Sequence, residues 1–573
     1  MRRRSPKQMH ARPAPSVRAA RGPAPLLSAI LAACCVAVPC LAGSALAEAA
    51  APGGPGGVCR PLPPGWPRDR ERLWVREIII EREAIFARGE PARDRFYGRL
   101  ANALHVTTRE RVIRDGLFFH EGDTVTVADV QASVRRLRSY PFIHPNVVVS
   151  VAARRDTADI RIQTRDVWTT MLDLSVGKEG GLWTWSFSLR EANLGGFGKE
   201  MGLAVGHDEE QLFWGVGYGD RQFLGREIIL AVNVTRGDDL AIESLSLQRP
   251  FDRPTTPFGF GFGVRAFDGR RIDRRGGIDG PEWRQDALRL RAVAGPRLAG
   301  SARVALRVLP SFYLQRERYS PWDPDSVGAA LRDRDIRAIG VTLDFVHERF
   351  SERLRIDRLA DPEDFNLGSS WQLLLGYTSP RWGSQREGLH ARLQVQEGLF
   401  GRERHFLLAN LEGHGDYVAG SWRDASAALY VRYYANLTRR QTLALHLRTD
   451  WTIDLAPQDL PTLGAHRGLR GFDAYRFWGE RLLFGSLEDR LVFGEDLFGL
   501  VTVGGALFLD AGTTWMNGEA TRARPRVAGG VGLRLQASRA SGGPLTRFDL
   551  GHPLVGGEEG DGWILSFSAG QAF

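Results

Sequence analysis

Histidine, serine and glycine could supply a catalytic or cofactor site in this chain, but their spacing predicts none. The 12 histidines are scattered rather than grouped at metal-ligand spacing. The sequence contains no His-Glu-x-x-His metal site, no Gly-x-Ser-x-Gly nucleophile turn and no Gly-x-x-x-x-Gly-Lys phosphate loop. Gly529, Gly530 and Gly532 resemble a nucleotide loop, but the surrounding run VAGGVGLRLQA is strand-like and no helix follows. We therefore predict no enzyme activity, no cofactor and no metal site.

The formal charge of +9 arises mostly in the first residues of the chain. Seven of the 76 basic residues precede Glu48 and no acidic residue does, so 69 basic residues face 67 acidic ones in the remainder. A balance so near neutrality gives no reason to expect a nucleic-acid partner. Of the 4 cysteines only Cys59 lies beyond residue 47, so neither an internal disulfide nor a cysteine metal cluster is expected.

Residues 1–47 have the pattern of a secretory signal peptide. A basic stretch precedes an apolar one at 26–47, which ends in the small-x-small sequence Ala45-Leu46-Ala47. Residues 48–72 are rich in Ala, Gly and Pro, which predicts a flexible leader. Two alternatives remain open for the apolar stretch. It could be an uncleaved membrane anchor, or Cys34 could be processed as in a lipoprotein, although apolar sequence continues for 13 residues beyond it.

Residues 73–166 show a mixed α and β pattern. Beyond residue 47 no run of 18 apolar residues occurs, so no spanning helix is expected. The run VREIIIER predicts a strand, and NVVVSVA with ADIRIQT predicts a closing strand pair. Thr107-x-x-Glu110 and Thr126-x-x-Asp129 are capping-box patterns, each of which predicts the start of a helix. The expected order is strand, helix, helix, strand, strand, with residues 84–106 as an insertion.

Residues 167–573 show strands and loops only. In LWTWSFSLR, RVALRV and TLALHLR, apolar and polar side chains alternate with a period of two. A soluble β-sandwich and a membrane β-barrel share this alternation. The signal peptide, aromatic residues at strand ends and an aromatic last residue favour the barrel, whose closure leaves no unpaired backbone edge in lipid. At roughly 25 residues per strand and loop we expect an all-β membrane protein with about sixteen antiparallel strands, although candidate strands number nearly twenty.

An ordered set of motifs resembles the BamA/TamA superfamily of outer-membrane proteins, over roughly residues 75–573. Residues 109–142, with a hydrophobic-Gly-Asp turn and a Val-x-x-Leu-Arg helix running into Pro-Phe, are similar to a POTRA domain, a small α+β periplasmic unit. The run EANLGGFGK at 191–199 resembles the superfamily's second-hairpin motif, and LRGF at 469–472 resembles its conserved-loop motif. In the order of the superfamily's last strands follow SLE at 486–488, FLDAG at 508–512 and GVGLR at 530–534.

The resemblance implies a lock inside the barrel. Arg470 would enter the lumen on a loop from outside and meet the carboxylates of Glu488 and Asp510 on adjoining strands. Gly471 would let the loop turn tightly, and Phe472 would pack beside it. A planar guanidinium between two carboxylates would fix the loop to the inner wall. From the residues alone, the alternative is an ordinary exposed loop arginine.

The resemblance also implies a function in assembling, inserting or translocating proteins at the bacterial outer membrane. The POTRA-like domain would lie in the periplasm and bind unfolded clients by adding a strand to a sheet edge. The barrel would insert them through a weakly paired seam, in contact with outer-membrane lipids and possible periplasmic accessory proteins. Phe573 would be the terminal aromatic residue that is read during the protein's own insertion.

The chain departs from the superfamily's pattern in having one recognisable POTRA-like unit and no recognisable plug segment. A narrower client range or a lipid-related role is therefore left open. A passive porin-like or structural barrel without insertase activity is the alternative function. An outer-membrane lipid hydrolase is disfavoured because no nucleophile constellation is present in the sequence.

We predict cleavage of the leader after Ala47, because a small-x-small site there precedes the first acidic residue, Glu48. Mass spectrometry of the mature protein should find Glu48 as the first residue. A mature chain that begins with a lipid-modified Cys34 would contradict this assignment, as would a chain that retains residues 26–47.

Overall fold

The computed structural model describes residues 63–179, 182–207, 211–277, 279–322, 331–519, 523–543, 545–558 and 561–571. The predicted signal peptide, the leader up to residue 62 and the terminal Phe573 lie outside these residues. Among the described residues, no helix has the length and apolar character needed to cross a membrane.

The N-terminal part forms a small α+β domain around one four-stranded sheet. Its strands are β1 (Arg72–Glu83), β2 (Thr124–Thr126), β3 (Val148–Arg154) and β4 (Thr157–Arg165), in the order β2-β1-β4-β3. Strands β1 and β4 run parallel, and the outer pairs are antiparallel. The helices are α1 (Phe96–Leu104), α2 (Glu110–Arg114) and α3 (Val127–Arg138). The elements follow the expected order, with β2 added and with α1 in the predicted insertion.

The two predicted capping boxes have different outcomes. Thr126 caps α3: its hydroxyl accepts a hydrogen bond from Asp129 N–H, and the Asp129 carboxylate accepts one from Thr126 N–H. The box at Thr107 is wrong, because α2 begins after Arg109 and has no side-chain cap. The backbone before α2 is used in tertiary contacts instead, since Thr108 N–H donates to Asp166 and Arg109 N–H donates to the carbonyl of Gly196.

The described residues from Thr170 onward form a closed antiparallel barrel of 20 strands, which confirms the predicted all-β barrel. Two further strand pairs, within residues 350–366 and 462–478, lie outside the barrel wall. In chain order the strands are β5 (Thr170–Glu179), β6 (Leu182–Glu191), β7 (Lys199–His207), β8 (Leu212–Asp220), β9 (Ile229–Gly237), β10 (Leu240–Arg249), β11 (Phe258–Ile272), β12 (Glu282–Gly300), β13 (Val304–Pro321), β14 (Arg334–His347), β15 (Phe350–Leu354), β16 (Pro362–Asn366), β17 (Ser369–Thr378), β18 (Gly388–Gly401), β19 (His405–Val418), β20 (Ser421–Asn436), β21 (Gln441–Ile453), β22 (Thr462–Leu463), β23 (Phe477–Trp478), β24 (Arg481–Leu497), β25 (Val501–Trp515), β26 (Arg526–Ala537), β27 (Leu545–Val555) and β28 (Ile564–Ala569).

The expected number of about sixteen strands is therefore too low. That estimate assumed long loops, but many strands are joined by tight turns. Only residues 238–239 separate β9 from β10, residues 301–303 separate β12 from β13, and residues 419–420 separate β19 from β20. Shorter connections leave room for four more strands than the estimate allowed.

The two faces of the barrel wall distinguish a membrane barrel from a soluble β-protein. On β24, Leu483 and Leu487 point outward and are 49% and 42% exposed, whereas Glu488 points inward and is fully buried. On β25, Leu507 is exposed on the outside and Asp510 is buried inside. Apolar side chains on the outer surface and charged ones in the interior are what lipid around a polar lumen requires.

The barrel has a near mouth, which faces the N-terminal domain, and a far mouth. The turns after β6, β8 and β10 lie at the near mouth, because each contacts the domain. Gly196 accepts a hydrogen bond from Arg109 N–H, the Gln222 amide donates to the carbonyl of Val112, and Arg253 pairs with Asp129 in α3. The long loop between β21 and β24 belongs to the far mouth.

Candidate functional site

The loop of residues 454–480, between β21 and β24, folds from the far mouth into the lumen. Its strands β22 and β23 pair with each other, and a short 3-10 turn at Ala465–Arg467 follows β22. Gly468 has a φ of +96°, a left-handed conformation that glycine adopts without strain, and it ends the turn. The chain then places Arg470 against the inner wall at β24–β27.

Arg470 is held by Glu488 and Asp510, the two carboxylates that the resemblance implied. Its Nη1 lies 2.5 Å from Glu488 Oε1, and its Nη2 and Nε lie 2.8 and 2.9 Å from the two oxygens of Asp510. The Arg470 backbone N–H also donates to Asp510, at 3.2 Å, and the guanidinium stacks 3.6 Å from the centre of the Phe508 ring. The side chain is only 1% exposed, so it is not an ordinary surface arginine.

Gly471 and Phe472 fit the loop tightly to the wall. Gly471 has a φ of +103°, and a Cβ there would lie 3.0 Å from both the Ala528 Cβ and the His552 backbone nitrogen. Phe472 is fully buried in an apolar cluster with Leu463, Leu469, Leu482, Phe484 and Ala528. The loop is therefore anchored by an apolar contact next to the ionic one.

Three charged residues that the sequence analysis missed complete the lock. Asp549 on β27 lies 3.4 Å from Arg470 Nη1 and 2.6 Å from Arg534 Nη1 on β26. Arg490 on β24 holds the second oxygen of Glu488 at 2.7 Å. Arg534 ends the GVGLR motif, so that motif offered a signal. Asp549 lies two residues after Arg547, so the two side chains share one face of β27. Only this spacing could have indicated that the Asp549 carboxylate points inward.

A second segment, residues 348–368 between β14 and β17, lies across the near mouth; we call it the near-mouth hairpin. It contains β15 and β16 and was not expected from the sequence. Leu359 N–H donates to the Gln536 side chain of β26 at 2.5 Å, and its side chain packs with Val492 and Leu545. Strand β26 lies well round the barrel from β14 and β17, so the hairpin reaches across the opening.

Arg490 connects the near-mouth hairpin to the lock. Its Nε holds Glu488 of the lock, and its Nη1 donates to the carbonyl of Ile356 in the hairpin at 2.9 Å. Ile356 is buried against Phe406 and Tyr434 of the barrel wall. A displacement of the hairpin would therefore remove a hydrogen bond from an arginine that neutralises the lock.

Helix α3 of the N-terminal domain holds the near-mouth hairpin from the other side. Arg138 lies 2.7 Å from Glu352 and 3.3 Å from Asp364, and Arg135 lies 3.5 Å from Glu348. These contacts join the N-terminal domain, the hairpin and the lock in one continuous series of polar contacts.

His144 of the N-terminal domain packs beside this interface. It lies 4.0 Å from Asp361 of the hairpin. Burial, together with the positive charges of Arg539 and Arg165, lowers the pKa of His144 to about 4. The imidazole is therefore neutral at physiological pH, and the interface carries no additional positive charge there.

The barrel closes where its last strand, β28, meets its first, β5. Strand β28 meets β5 through a single described pair, Phe567 with Lys178. On its other side β28 forms six pairs with β27, and the wall junction between β12 and β13 has 14. This is the junction with the fewest described pairs in the wall, and residues 180–181 and 572–573 beside it lie outside the described residues.

These features define a class of protein: a wide antiparallel barrel with an apolar outer surface, an arginine–carboxylate lock in its lumen and an α+β domain at one mouth. Neither a family model nor a curated protein matches the chain. Among solved structures it is similar to BamA from Haemophilus ducreyi lacking POTRA domains 1–3, at 14% identity and a TM-score of 0.38, over 87% of this chain and 84% of that one.

Two further similar structures are of CdiB. CdiB from Acinetobacter baumannii has 14% identity and a TM-score of 0.42, over 87% of this chain and 74% of the other. CdiB from Escherichia coli has 13% identity and a TM-score of 0.43, over 86% and 76%. At these values the likeness assigns no activity to the chain.

Arg470→Ala should release the far-mouth loop without unfolding the barrel. The change leaves three buried carboxylates short of a partner, at a local cost of roughly 3–5 kcal/mol, less where lumen water relaxes the charges. Limited proteolysis in native membranes should produce new cuts near residues 460–480. Arg470→Lys should restore little protection, because a point charge cannot reproduce the two-pronged contact.

The matched control is Arg467→Ala, which removes from the same loop an arginine that faces the lumen and pairs with none of the lock carboxylates. It should remain as protected as the wild type, and all variants should still migrate faster on a gel before boiling than after. Equal protease resistance in Arg470→Ala and the wild type would mean that the lock does not hold the loop.

The near-mouth hairpin should lose stability as the pH rises. The Glu363 side chain of β16 accepts hydrogen bonds from Ile356 and Asp357 N–H, and burial, followed by the nearby charge of Asp357, raises its pKa from 4.5 to about 7. A raised pKa means that folding favours the protonated form. Stability is therefore complete below pH 4.5 and is lost as the pH rises through about 7.

Glu363→Gln imitates the protonated carboxyl at every pH, so it should remove this dependence. At pH 8 we expect the hairpin to be cut several-fold faster in the wild type than in the variant, and at pH 5 equally fast. Comparing the two proteins at each pH cancels the pH dependence of the protease. A constant ratio across this range would show that Glu363 does not control the hairpin.

Proposed function

We propose that this chain is an outer-membrane factor of the BamA/TamA type, which assembles, inserts or translocates other proteins. In this proposal the barrel lies in the bacterial outer membrane and the N-terminal domain in the periplasm. The observation that carries the proposal is the closing junction between β28 and β5, at which a single pair is described. A wall that can part at one place offers a client strand both a lateral path into lipid and an unpaired backbone edge to pair with.

The N-terminal sheet supports a role in receiving clients, as a POTRA-like domain would. Strand β3 lies at the edge of that sheet, so one side of its backbone is available for pairing. A segment of the chain itself already contacts this edge, because Val151 N–H of β3 donates to the carbonyl of Pro64 at 2.8 Å. An extended client segment could replace this contact and continue along the edge.

The near-mouth hairpin gives a physical route from client binding to the lumen. Arg135 and Arg138 of α3 hold the hairpin through three ion pairs, in which only the Glu352 side chain is more than a fifth exposed. A rotation of the domain on client binding would break these pairs. The Arg490 contact would then transmit the change to Glu488 in the lock.

The alternative is a passive porin-like or structural barrel without insertase activity. The lock loop enters the lumen from the far mouth, and the near-mouth hairpin covers the opposite end, so an open pore of barrel width is disfavoured. Ion conductance in planar bilayers separates the two functions: large, steady conductance would favour the porin.

Depletion of the protein, with quantification of the outer-membrane proteome, tests the function directly. We expect a defined set of barrel or surface proteins to fall several-fold, and plasmid-borne wild type to restore them. An unchanged proteome would contradict the assembly function and favour a passive barrel.

A disulfide across the junction tests whether it opens. In a Cys59→Ser background, Lys178→Cys with Phe567→Cys joins the only described pair between β28 and β5, while Leu290→Cys with Leu314→Cys joins a pair deep in the β12–β13 wall. The first disulfide should abolish complementation until a reductant is added, and the second should not. Full complementation by the oxidised first variant, with its disulfide confirmed by mass shift, would mean that the junction need not open.

A further inference from the structure

The lumen contains a chamber that the lock does not use. It measures about 700 Å³ and lies between β10–β13 on one side and β18–β21 on the other, beneath residues 455–467 of the far-mouth loop. This volume is within the range of about 300–1,000 Å³ that is typical of small-molecule sites. Neither Arg470 nor its three carboxylates line it.

Arginine dominates the lining of this chamber. Seven arginines line it, against the three carboxylates of Glu412, Asp450 and Asp459. Three of the arginines have acidic partners: Arg289 pairs with Glu317, Arg448 with Asp450, and Arg334 with Glu317 and Asp459. The remaining four are Arg265, Arg291, Arg392 and Arg467.

These four arginines have no carboxylate within ion-pair distance among the described residues. Arg291 donates to the Gln372 amide at 2.6 Å, and Arg392 lies over the Tyr313 ring at 5.8 Å. Both contacts orient a guanidinium without neutralising it. The lumen wall has a low dielectric constant. The positive potentials of these arginines therefore sum to a stronger attraction for anions in the chamber than they would on an open surface.

The chamber also provides neutral donors and aromatic surface. Ser426 and His414 are hydrogen-bonded to each other at 3.1 Å and line the chamber beside Arg392. Tyr313 stacks on His390 at a centroid distance of 4.7 Å, which holds its ring rigidly at the chamber wall. Such a mixture of forked cations, hydroxyls and flat rings resembles the lining of sites for phosphorylated compounds.

We propose that this chamber is a binding site for a phosphate-bearing anion with at least two negative charges. Phosphate fits the observation better than a single carboxylate, because the four guanidiniums, offset in the lining only by the carboxylate of Glu412, require more than one further negative charge to neutralise them. Each guanidinium can donate two parallel hydrogen bonds to phosphate oxygens. The proposal does not depend on the proposed assembly function, since a passive barrel with this lumen would bind the same anion.

Calorimetric titration of the full chain in a non-ionic detergent tests the proposal at constant ionic strength. The soluble probe is inorganic pyrophosphate, and the headgroup probe is dihexanoyl phosphatidic acid below its micelle concentration. We expect at least one probe to bind to the wild type, and its affinity to fall at least ten-fold in Arg291→Gln/Arg392→Gln. Which probe binds distinguishes a soluble phosphate from a lipid headgroup as the source of the ligand.

The matched control is Arg284→Gln, on the same strand as Arg291. Arg284 is more than half exposed, pairs with Asp268 and does not line the chamber, so its loss should leave binding unchanged. Faster gel migration before boiling verifies that each variant is folded. The proposal is overturned if neither probe binds to the wild type, or if the double variant binds as tightly as the control.

Discussion

Closure of a sheet of twenty strands is the constraint on which the rest of this structure depends. A backbone in lipid must pair with itself, and a closed ladder achieves this without an edge. The diameter of a barrel grows with its strand number, and about eight strands already give the width that side chains alone can fill. A barrel of this size therefore encloses space that its own wall cannot occupy. The chain fills it with a loop from one mouth and a hairpin from the other.

The lumen loop is held by charges that are costly to bury. Arg470, Glu488, Asp510 and Asp549 are all almost fully buried, so each has lost its hydration. Such a cluster is stable only when every member has partners, and the loss of one leaves the others uncompensated. Arg534 and Arg490 supply the additional positive charge that three carboxylates need. The cluster is thus specific in geometry rather than strongly stabilising, and it suits a loop that must have one position.

The contacts at the near mouth are fewer. Arg138 pairs with Glu352, which is 48% exposed, and Arg135 lies 3.5 Å from Glu348. The hairpin therefore lies next to the N-terminal domain and is held to it by a few ion pairs. In the wall itself, β28 and β5 form one described pair. In the proposed function, these are the two places where a client could alter the barrel.

The sequence by itself determined the elements that depend on local pattern. Period-two alternation indicated the strands, and the Thr126 capping box indicated α3, because both signals lie within a few residues. The motifs LRGF, SLE and FLDAG indicated Arg470, Glu488 and Asp510 only through their resemblance to those of known outer-membrane proteins. Alternation also indicated which side chains share a face. It could not show which face meets lipid, since a sandwich and a barrel have the same period.

Only the tertiary structure decided which distant residues meet across the lumen. The position of Asp549 beside Arg470 depends on how many strands close the barrel, and that number depends on turn lengths that a periodic pattern does not reveal. The near-mouth hairpin has its contacts with β24 and β26, more than a hundred residues away along the chain. The uncompensated arginines have ordinary local sequences, and they become a chamber only because closure brings β10–β13 opposite β18–β21. Local sequence specifies a strand and its faces, whereas closure specifies what those faces enclose.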